Sequence, residues 1–180
     1  YPTKITDRNG NYANITYERL GPRITQITTN DGRVVNFGYT TYTVSSGNSS
    51  YTINLLSSIS SEDKTVRYSY DQVPGQGAFF LSKVTLPDGT NWLYTYNPNT
   101  GSITDNRYLL KQVETPYGGK FNYSYQIFRP SVTPISFVVT NKTTNNGSWD
   151  FSYTSGSAGN YDKTVVSGPS GTTTYTHFGP

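Results

Sequence analysis

Hydrophobic positions in this chain alternate with polar ones over short stretches that turn residues separate. In the segment NWLYTY, the rings of Trp92, Tyr94 and Tyr96 stand two residues apart, so an extended strand places them on one face. The preceding Asp88-Gly89 favours a tight hairpin turn, because glycine accepts the positive φ that primed turns require. No stretch of ten residues shows helical periodicity free of Gly, Pro or β-branched runs. The pattern predicts an all-β chain.

A turn followed by two mostly aromatic residues, with one residue between them, recurs seven times along the chain. The copies are on average about 27 residues apart, as in repeat architectures. The turns are predicted at Asn9-Gly10, Asp31-Gly32, Asp63-Lys64, Asp88-Gly89, Gly118-Gly119, Asn146-Gly147 and Ser170-Gly171, with Gly10, Gly32, Gly89, Gly119, Gly147 and Gly171 as turn glycines. The residue pairs that follow them are Ile15 and Tyr17, Phe37 and Tyr39, Tyr68 and Tyr70, Tyr94 and Tyr96, Tyr123 and Tyr125, Phe151 and Tyr153, and Tyr175 and His177.

An aliphatic strand precedes most turns. Aliphatic residues stand five positions ahead of the turn glycine or of Lys64, and several have a second aliphatic three residues earlier, as Ile24 precedes Ile27. Each copy therefore predicts a β-hairpin, and hairpins that are marginal alone must associate to bury their faces. We expect a single array over residues 1–180, of about seven antiparallel hairpin repeats, forming a continuous twisted sheet or a β-spiral, solenoid-like shell segment. Residues 40–54 predict an additional, inserted hairpin around Ser46-Gly47-Asn48.

Composition narrows the class of function. Seventeen Tyr, eight Phe and two Trp occur in a chain of which only 14% is charged. The net charge of +3 is scattered, without a basic run that could follow a phosphate backbone, so nucleic acid is not predicted as a partner. Membrane insertion is not predicted either, because no apolar stretch is long enough. The chain lacks Cys and Met and begins with Tyr, which suggests a mature or excised piece of a longer protein.

Candidate catalytic chemistry is weak. The single histidine, His177, takes the place of a repeat tyrosine, and repeat register alone explains a ring there. The acids Asp7, Asp31, Asp63 and Asp88 lie in predicted turns, where short side chains hydrogen-bond the backbone. No catalytic residue, metal ligand or cofactor is predicted.

Ten aromatic residues of the repeats, which we call the aromatic ladder, have two interpretations. If its rings face inward, cross-strand pairs of roughly 0.2–1 kcal/mol each stabilise the sheet, and we favour this interpretation. If the rings face solvent in a row, they form a platform for stacking sugars. The ladder comprises Tyr17, Tyr39, Tyr70, Trp92, Tyr94, Tyr96, Tyr123, Tyr125, Phe151 and Tyr153.

Several segments resemble the RHS or YD repeat. Asp31-Gly32-Arg33 followed by Phe37-Gly38-Tyr39 is the nearest match, and the ending Tyr68-Ser69-Tyr70-Asp71 keeps the Tyr-Asp pair of the repeat. The resemblance covers nearly the whole chain, although Asn97 or Gln126 replaces that Asp elsewhere and the spacing exceeds the short repeat of the family. It implies a ribbon of antiparallel strands that spirals into a hollow shell, as in large secreted bacterial proteins, toxin complexes and teneurins. The Asp-containing segment that marks self-cleavage in the family is missing, so protease and toxin activities are not carried over.

The sequence thus predicts a non-enzymatic structural scaffold located outside the cell or at its surface. It would be a segment of an RHS-like shell or a self-associating fibre, whose partners are copies of itself or neighbouring repeats of the same larger protein, joined through terminal strand edges. The alternative is a carbohydrate-binding or adhesin module that uses an exposed aromatic strand face. An enzyme resembling a polysaccharide lyase is disfavoured, because charges do not line a groove. Five glycosylation sequons are compatible with an extracellular location, at Asn14, Asn48, Asn122, Asn141 and Asn146.

Overall fold

The computed structural model describes residues 1–46, 49–72, 78–98, 108–128, 136–155 and 161–177, which form fourteen β-strands and no helix. The predicted all-β class is confirmed. The chain divides into two compact units, Tyr1–Asn91 (unit 1) and Trp92–Pro180 (unit 2). Unit 1 contains β1 (Lys4–Thr6), β2 (Tyr12–Tyr17), β3 (Ile24–Thr29), β4 (Val34–Ser46), β5 (Ser49–Ser61), β6 (Lys64–Gln72) and β7 (Phe79–Thr85). Unit 2 contains β8 (Asn91–Tyr96), β9 (Leu110–Glu114), β10 (Lys120–Phe128), β11 (Ser136–Thr144), β12 (Gly147–Ser155), β13 (Tyr161–Gly168) and β14 (Gly171–Thr176), with the boundary at the start of β8.

Within each unit, every strand is hydrogen-bonded antiparallel to the next strand along the chain, which confirms the array of antiparallel hairpins. The pairing between β4 and β5 places Phe37 opposite Ile59 and Tyr39 opposite Leu56. Directly opposite residues share a face of the sheet, so rings and aliphatic side chains of one repeat pack on the same face. Equivalent pairs recur as Tyr68 with Val84, Tyr70 with Leu81, Tyr94 with Val113 and Tyr96 with Leu110.

A β-bulge explains the three-residue spacing of the aliphatic positions. Gly38 lies opposite Ser58 and Tyr39 lies opposite Leu56, so Ser57 is an extra residue without a partner on β4. In a regular strand, two residues three apart point to opposite faces, and the extra residue brings both aliphatic side chains to the aromatic face. The same register shift occurs directly before Tyr17, Tyr70, Tyr96 and Tyr125.

Four turns share a five-residue form rather than the predicted two-residue primed form. In the turn after β7, the Gly89 N–H donates to the Leu86 carbonyl at 2.9 Å, and the Leu86 N–H donates to the Thr90 carbonyl at 2.8 Å. The five residues are thus two flanking residues, Leu86 and Thr90, and a three-residue loop between them that ends in a glycine with positive φ. Gly89 is this glycine, with φ of 83°. Gly10, Gly32 and Gly118 occupy the same position in the other three turns.

Three of the predicted turn glycines have a different position in the structure. Gly118 carries the positive φ of 79° in its turn, and the predicted Gly119 is the residue after it. Gly147 is the first residue of β12 and pairs with Thr144, so the turn itself consists of Asn145 and Asn146. Gly171 likewise begins β14, opposite Gly168, although its φ is positive at 114°. The turn between β5 and β6 consists of Glu62 and Asp63, not of Asp63 and Lys64. Two-residue connections thus coexist with the five-residue form.

Residues 40–46 and 49–54 pair with each other as an extension of β4 and β5, and the tip at Gly47-Asn48 lies outside the described residues. Tyr42 in this extension contacts the ring of Phe79 at a centroid distance of 4.6 Å and the ring of Tyr70 at 6.3 Å. Because Tyr42 follows Tyr39 by three residues, a straight strand would point its ring to the opposite face. The extension therefore bends across the aromatic face of unit 1.

Side-chain burial is shallow throughout the described chain. Two of its hydrophobic residues are classed as buried, Val44 at 0% exposure in the extension of β4 and Val138 at 9% in β11. Most strand residues are half-buried, and strands such as β8 alternate between half-buried rings and exposed positions. Each unit is therefore stabilised mainly by contacts between neighbouring strands rather than by a deep core.

Candidate functional site

The second ring of each repeat anchors its hairpin through the phenol hydroxyl. Tyr39 donates to the Ile24 carbonyl at 2.9 Å, and Tyr70 donates to the Leu56 carbonyl at 2.9 Å. In each case the acceptor lies on, or just before, the strand that precedes the tyrosine. The same bond joins Tyr17 to Pro2 at 2.8 Å, Tyr125 to Leu110 at 2.7 Å and Tyr153 to Val139 at 2.7 Å. The sequence pattern predicted the rings but not this bond, because the acceptor carbonyl can be identified only when the register of the bulged strands is known.

All ten ladder residues are half-buried, and none belongs to the exposed large hydrophobic side chains. On β8, Trp92, Tyr94 and Tyr96 are half-buried and the intervening Leu93 is 40% exposed, in agreement with one-sided alternation. Burial raises the pKa of Tyr70, Tyr96 and Tyr125 above the ordinary tyrosine value, with a smaller contribution from neighbouring tyrosines. The neutral phenol that can donate a hydrogen bond is therefore favoured in the folded state.

The opposite face carries hydrogen-bonded polar side chains. Gln112 donates to the side-chain oxygen of Asn122 at 2.6 Å, and Asn141 donates to Asp150 at 2.7 Å and to Ser148 at 2.8 Å. In unit 1, Gln26 donates to Asn36 at 2.9 Å in the same manner. The amides of two predicted sequons, Asn122 and Asn141, thus take part in cross-strand bonds.

Turn acids serve local structure. Asp7 accepts hydrogen bonds from the side chain of Asn11 and from the N–H groups of Asn9 and Asn11, and these bonds lower its pKa. Thr90 lowers the pKa of Asp88 through its hydroxyl and its N–H. Asp63 is exposed in its turn.

Asp31 forms the tightest of these turn interactions. Arg33 donates to its carboxylate at 2.9 Å and Thr29 donates a second hydrogen bond, so the pKa of Asp31 falls to about 2. His177 is exposed, with its Nε2 at 2.9 Å from the Thr164 hydroxyl, and makes no carbonyl bond of the repeat type.

Adjacent turns are joined in both units by an asparagine. In unit 1, the Asn30 side-chain oxygen accepts from the Tyr12 N–H at 3.3 Å. In unit 2, the Asn145 side-chain oxygen accepts from the Lys120 N–H at 2.9 Å, and its amide donates to the Gly118 carbonyl at 3.4 Å. Beside each bridge lies an open depression, which we call the unit 1 hollow (440 Å³) and the unit 2 hollow (470 Å³).

The two hollows differ in chemistry. The unit 1 hollow contains Asp7, Asp31 and Arg33, and Arg33 and Asp31 form an ion pair at 2.7 Å. The unit 2 hollow contains Lys120 and Lys142 and the rings of Tyr117, Phe121 and Trp149, and the described residues that line it include no carboxylate. The sequence pattern did not reveal the unit 2 hollow, because its residues come from three strands and two turns.

Within the described ranges, no three His, Asp or Glu side chains come together as a metal site. The described part of the chain contains no helix that is long and apolar enough to cross a membrane. A comparison with protein-family models finds no match, and a comparison with curated proteins finds none either.

Proposed function

We propose that this chain is a structural scaffold, a wall segment built from bulged β-hairpin repeats, that acts outside the cell or at its surface. The observation that carries the proposal is the recurring bond from the second ring to a carbonyl on, or just before, the preceding strand, seen at Tyr17, Tyr39, Tyr70, Tyr125 and Tyr153. Each such bond contributes roughly 0.5–1.5 kcal/mol, so repetition stabilises an extended sheet that has no deep core. A hydrogen bond that recurs in both units is expected of a structural repeat, whereas a reaction centre is expected at one place.

The two-sided character of the sheet supports the same function. One face holds half-buried rings, and the other holds cross-strand Asn, Gln, Ser and Thr side chains. A wall that separates two environments needs two chemically distinct faces. The resemblance to the RHS and YD repeats provides the larger setting, in which such segments line a hollow shell or associate into fibres.

Electron microscopy over a concentration series tests this proposal. We expect the purified chain to form fibres or hollow particles as its concentration rises, with sedimentation velocity reporting the same association. Discrete compact particles at every concentration would contradict self-association. Hydrolytic activity that disappears on substitution of one carboxylate would contradict the non-enzymatic role.

The alternative, a glycan-binding module on the Trp92 to Tyr96 strand, is tested on the same material. Under the scaffold proposal, neutral oligosaccharides leave the tryptophan fluorescence unchanged, because the ladder rings are half-buried. Saturable binding that Trp92→Ala removes and the opposite-face control Leu93→Ala preserves would establish the binding module instead.

A further inference from the structure

Lys142 interrupts the repeat at a position that is otherwise aliphatic. It lies on β11 opposite Tyr123, the first ring of its repeat, and opposite Trp149 on β12. The corresponding position, opposite the first residue of each pair, is aliphatic in five other repeats, at Ile27, Ile59, Val84, Val113 and Val166. A half-buried lysine therefore replaces an aliphatic side chain on the aromatic face.

The surroundings of Lys142 hold its charge without neutralising it. Its Nζ lies 5.4 Å from the Phe121 ring centroid and 5.6 Å from the Trp149 ring, distances at which the ring faces attract a cation. Lys120, the other lysine of the hollow, is paired with Glu114 at 3.3 Å, whereas Lys142 has no salt bridge in the described part of the chain. A cation that lies among ring faces, with no carboxylate paired to it in the described residues, is available to attract an anionic ligand.

Flat apolar surface accompanies this charge. Tyr117, at the tip of the turn after β9, is 90% exposed, and Trp149 forms another wall of the hollow. A volume of 470 Å³ lies within the range of small-ligand sites. Exposed rings stack on the flat faces of sugars, and the nearby Asn146 side chain is a hydrogen-bonding group for sugar hydroxyls.

We propose that the unit 2 hollow binds an acidic saccharide, with a uronic acid carboxylate on Lys142 and a pyranose face on Tyr117 or Trp149. This activity goes beyond the scaffold role and does not depend on it. A sugar is favoured over a nucleic acid, because one unpaired cation suits a single carboxylate, whereas a phosphate backbone requires a basic track.

The test compares binding of an oligogalacturonate with binding of a neutral galactose oligomer by isothermal titration calorimetry. We expect saturable binding of the acidic oligomer, weakened by added salt because the interaction is partly electrostatic. The decisive variant is Lys142→Ile, which restores the aliphatic residue of the other repeats. It should lose binding by about tenfold or more and keep a thermal midpoint at least as high as that of the parent chain.

Two matched variants separate charge at this site from charge in general. Lys142→Arg should retain binding within a few fold, because it keeps the cation among the rings. Lys111→Gln removes a lysine of unit 2 that is exposed and outside the hollow, and should leave affinity unchanged. The proposal is overturned if acidic and neutral oligomers bind equally, if neither binds, if Lys142→Ile binds as well as the parent, or if a mononucleotide binds more tightly than the uronate. None of these results bears on fibre or shell formation, so the two proposals fail separately.

Discussion

The unit 1 hollow and the unit 2 hollow are built in the same way and lined with different chemistry. Each lies between two adjacent turns, of which at least one has the five-residue form, and each has an asparagine bridge to the first residue of a strand, through Asn30 or Asn145. In unit 1 Arg33 pairs with Asp31, and the carboxylate of Asp7 accepts hydrogen bonds from Asn9 and Asn11. In unit 2 a lysine is left among rings. The difference teaches that the repeat fixes the positions of backbone and rings, while side chains near the turns are free to vary.

If the two units share this arrangement of backbone and rings, removal of the second aromatic residue of a repeat should destabilise both units by the same amount. We expect Tyr39→Ala in unit 1 and Tyr125→Ala in unit 2 each to lower the free energy of unfolding by roughly 2 kcal/mol, about half the cost of truncating a fully buried ring. The Phe variants, which lose only the hydroxyl bond to Ile24 or Leu110, should cost about 1 kcal/mol. Urea unfolding measures both. Equal stability of the Ala and Phe variants would show that the ring does not stabilise this arrangement.

Substitution of Gly118 sharpens the comparison inside one turn. Gly118→Ala should cost about 1–2 kcal/mol, because a side chain disfavours its φ of 79°. Gly119→Ala is the comparison, since Gly119 does not have a positive φ and the cost there is limited to displacing the Thr115 hydroxyl, which accepts from the Gly119 N–H. Thermal unfolding of the two variants should therefore differ, and a larger loss at Gly119 would contradict the assigned turn.

The two asparagine bridges should contribute similar amounts to the free energy of unfolding. Asn145→Ala leaves the Lys120 N–H without its side-chain acceptor, and Asn30→Ala does the same to Tyr12. We expect each to cost about 1 kcal/mol in the free energy of unfolding. Asn145→Asp keeps the acceptor oxygen for the Lys120 N–H and removes the amide that donates to the Gly118 carbonyl, so its cost relative to Asn145→Ala reports the two bonds separately. A loss confined to one unit would mean that the two bridges are not equivalent.

The smallest effect should be an acid dependence specific to unit 1. The pKa of Asp31 is about 2 in the fold, below its ordinary value of 3.8, so its charged form stabilises the fold above pH 3.8. This contribution is lost as pH falls through about 2, and the exposed setting keeps it small. Asp31→Asn should flatten the pH dependence of the thermal midpoint over that range. An unchanged profile would remove Asp31 as its source.

Sequence reasoning found what depends on residue type and missed what depends on register. The rings of Trp92, Tyr94 and Tyr96 lie on one face as predicted, because alternation is a local property of a strand. The bulge at Ser57 went unrecognised, although the three-residue gap between Leu56 and Ile59 is its signal. The sequence predicts a Gly118-Gly119 turn with Gly119 as its turn glycine, whereas the positive φ lies at Gly118, the residue five positions after Val113 as in the other repeats.

The unit 2 hollow could not be predicted from local pattern. Phe121, Lys142 and Trp149 are far apart in sequence, and their approach depends on the pairing of β10 with β11 and of β11 with β12. A sequence clue existed nevertheless. Lys142 follows Val139 by three residues, where the pattern calls for an aliphatic residue, and a departure from a repeat marks a candidate functional position.

The extension of β4 and β5 suggests a use for this scaffold in peptide display. Its pairs from Thr40 and Leu55 onward lie beyond the bulge at Ser57, on the side away from the turns that connect β4 and β5 to their other neighbours. Added length there leaves the register of the repeat intact, because alternation is set on the near side of the bulge. A foreign epitope grafted at the far end of this hairpin would be presented without re-engineering the rest of the protein.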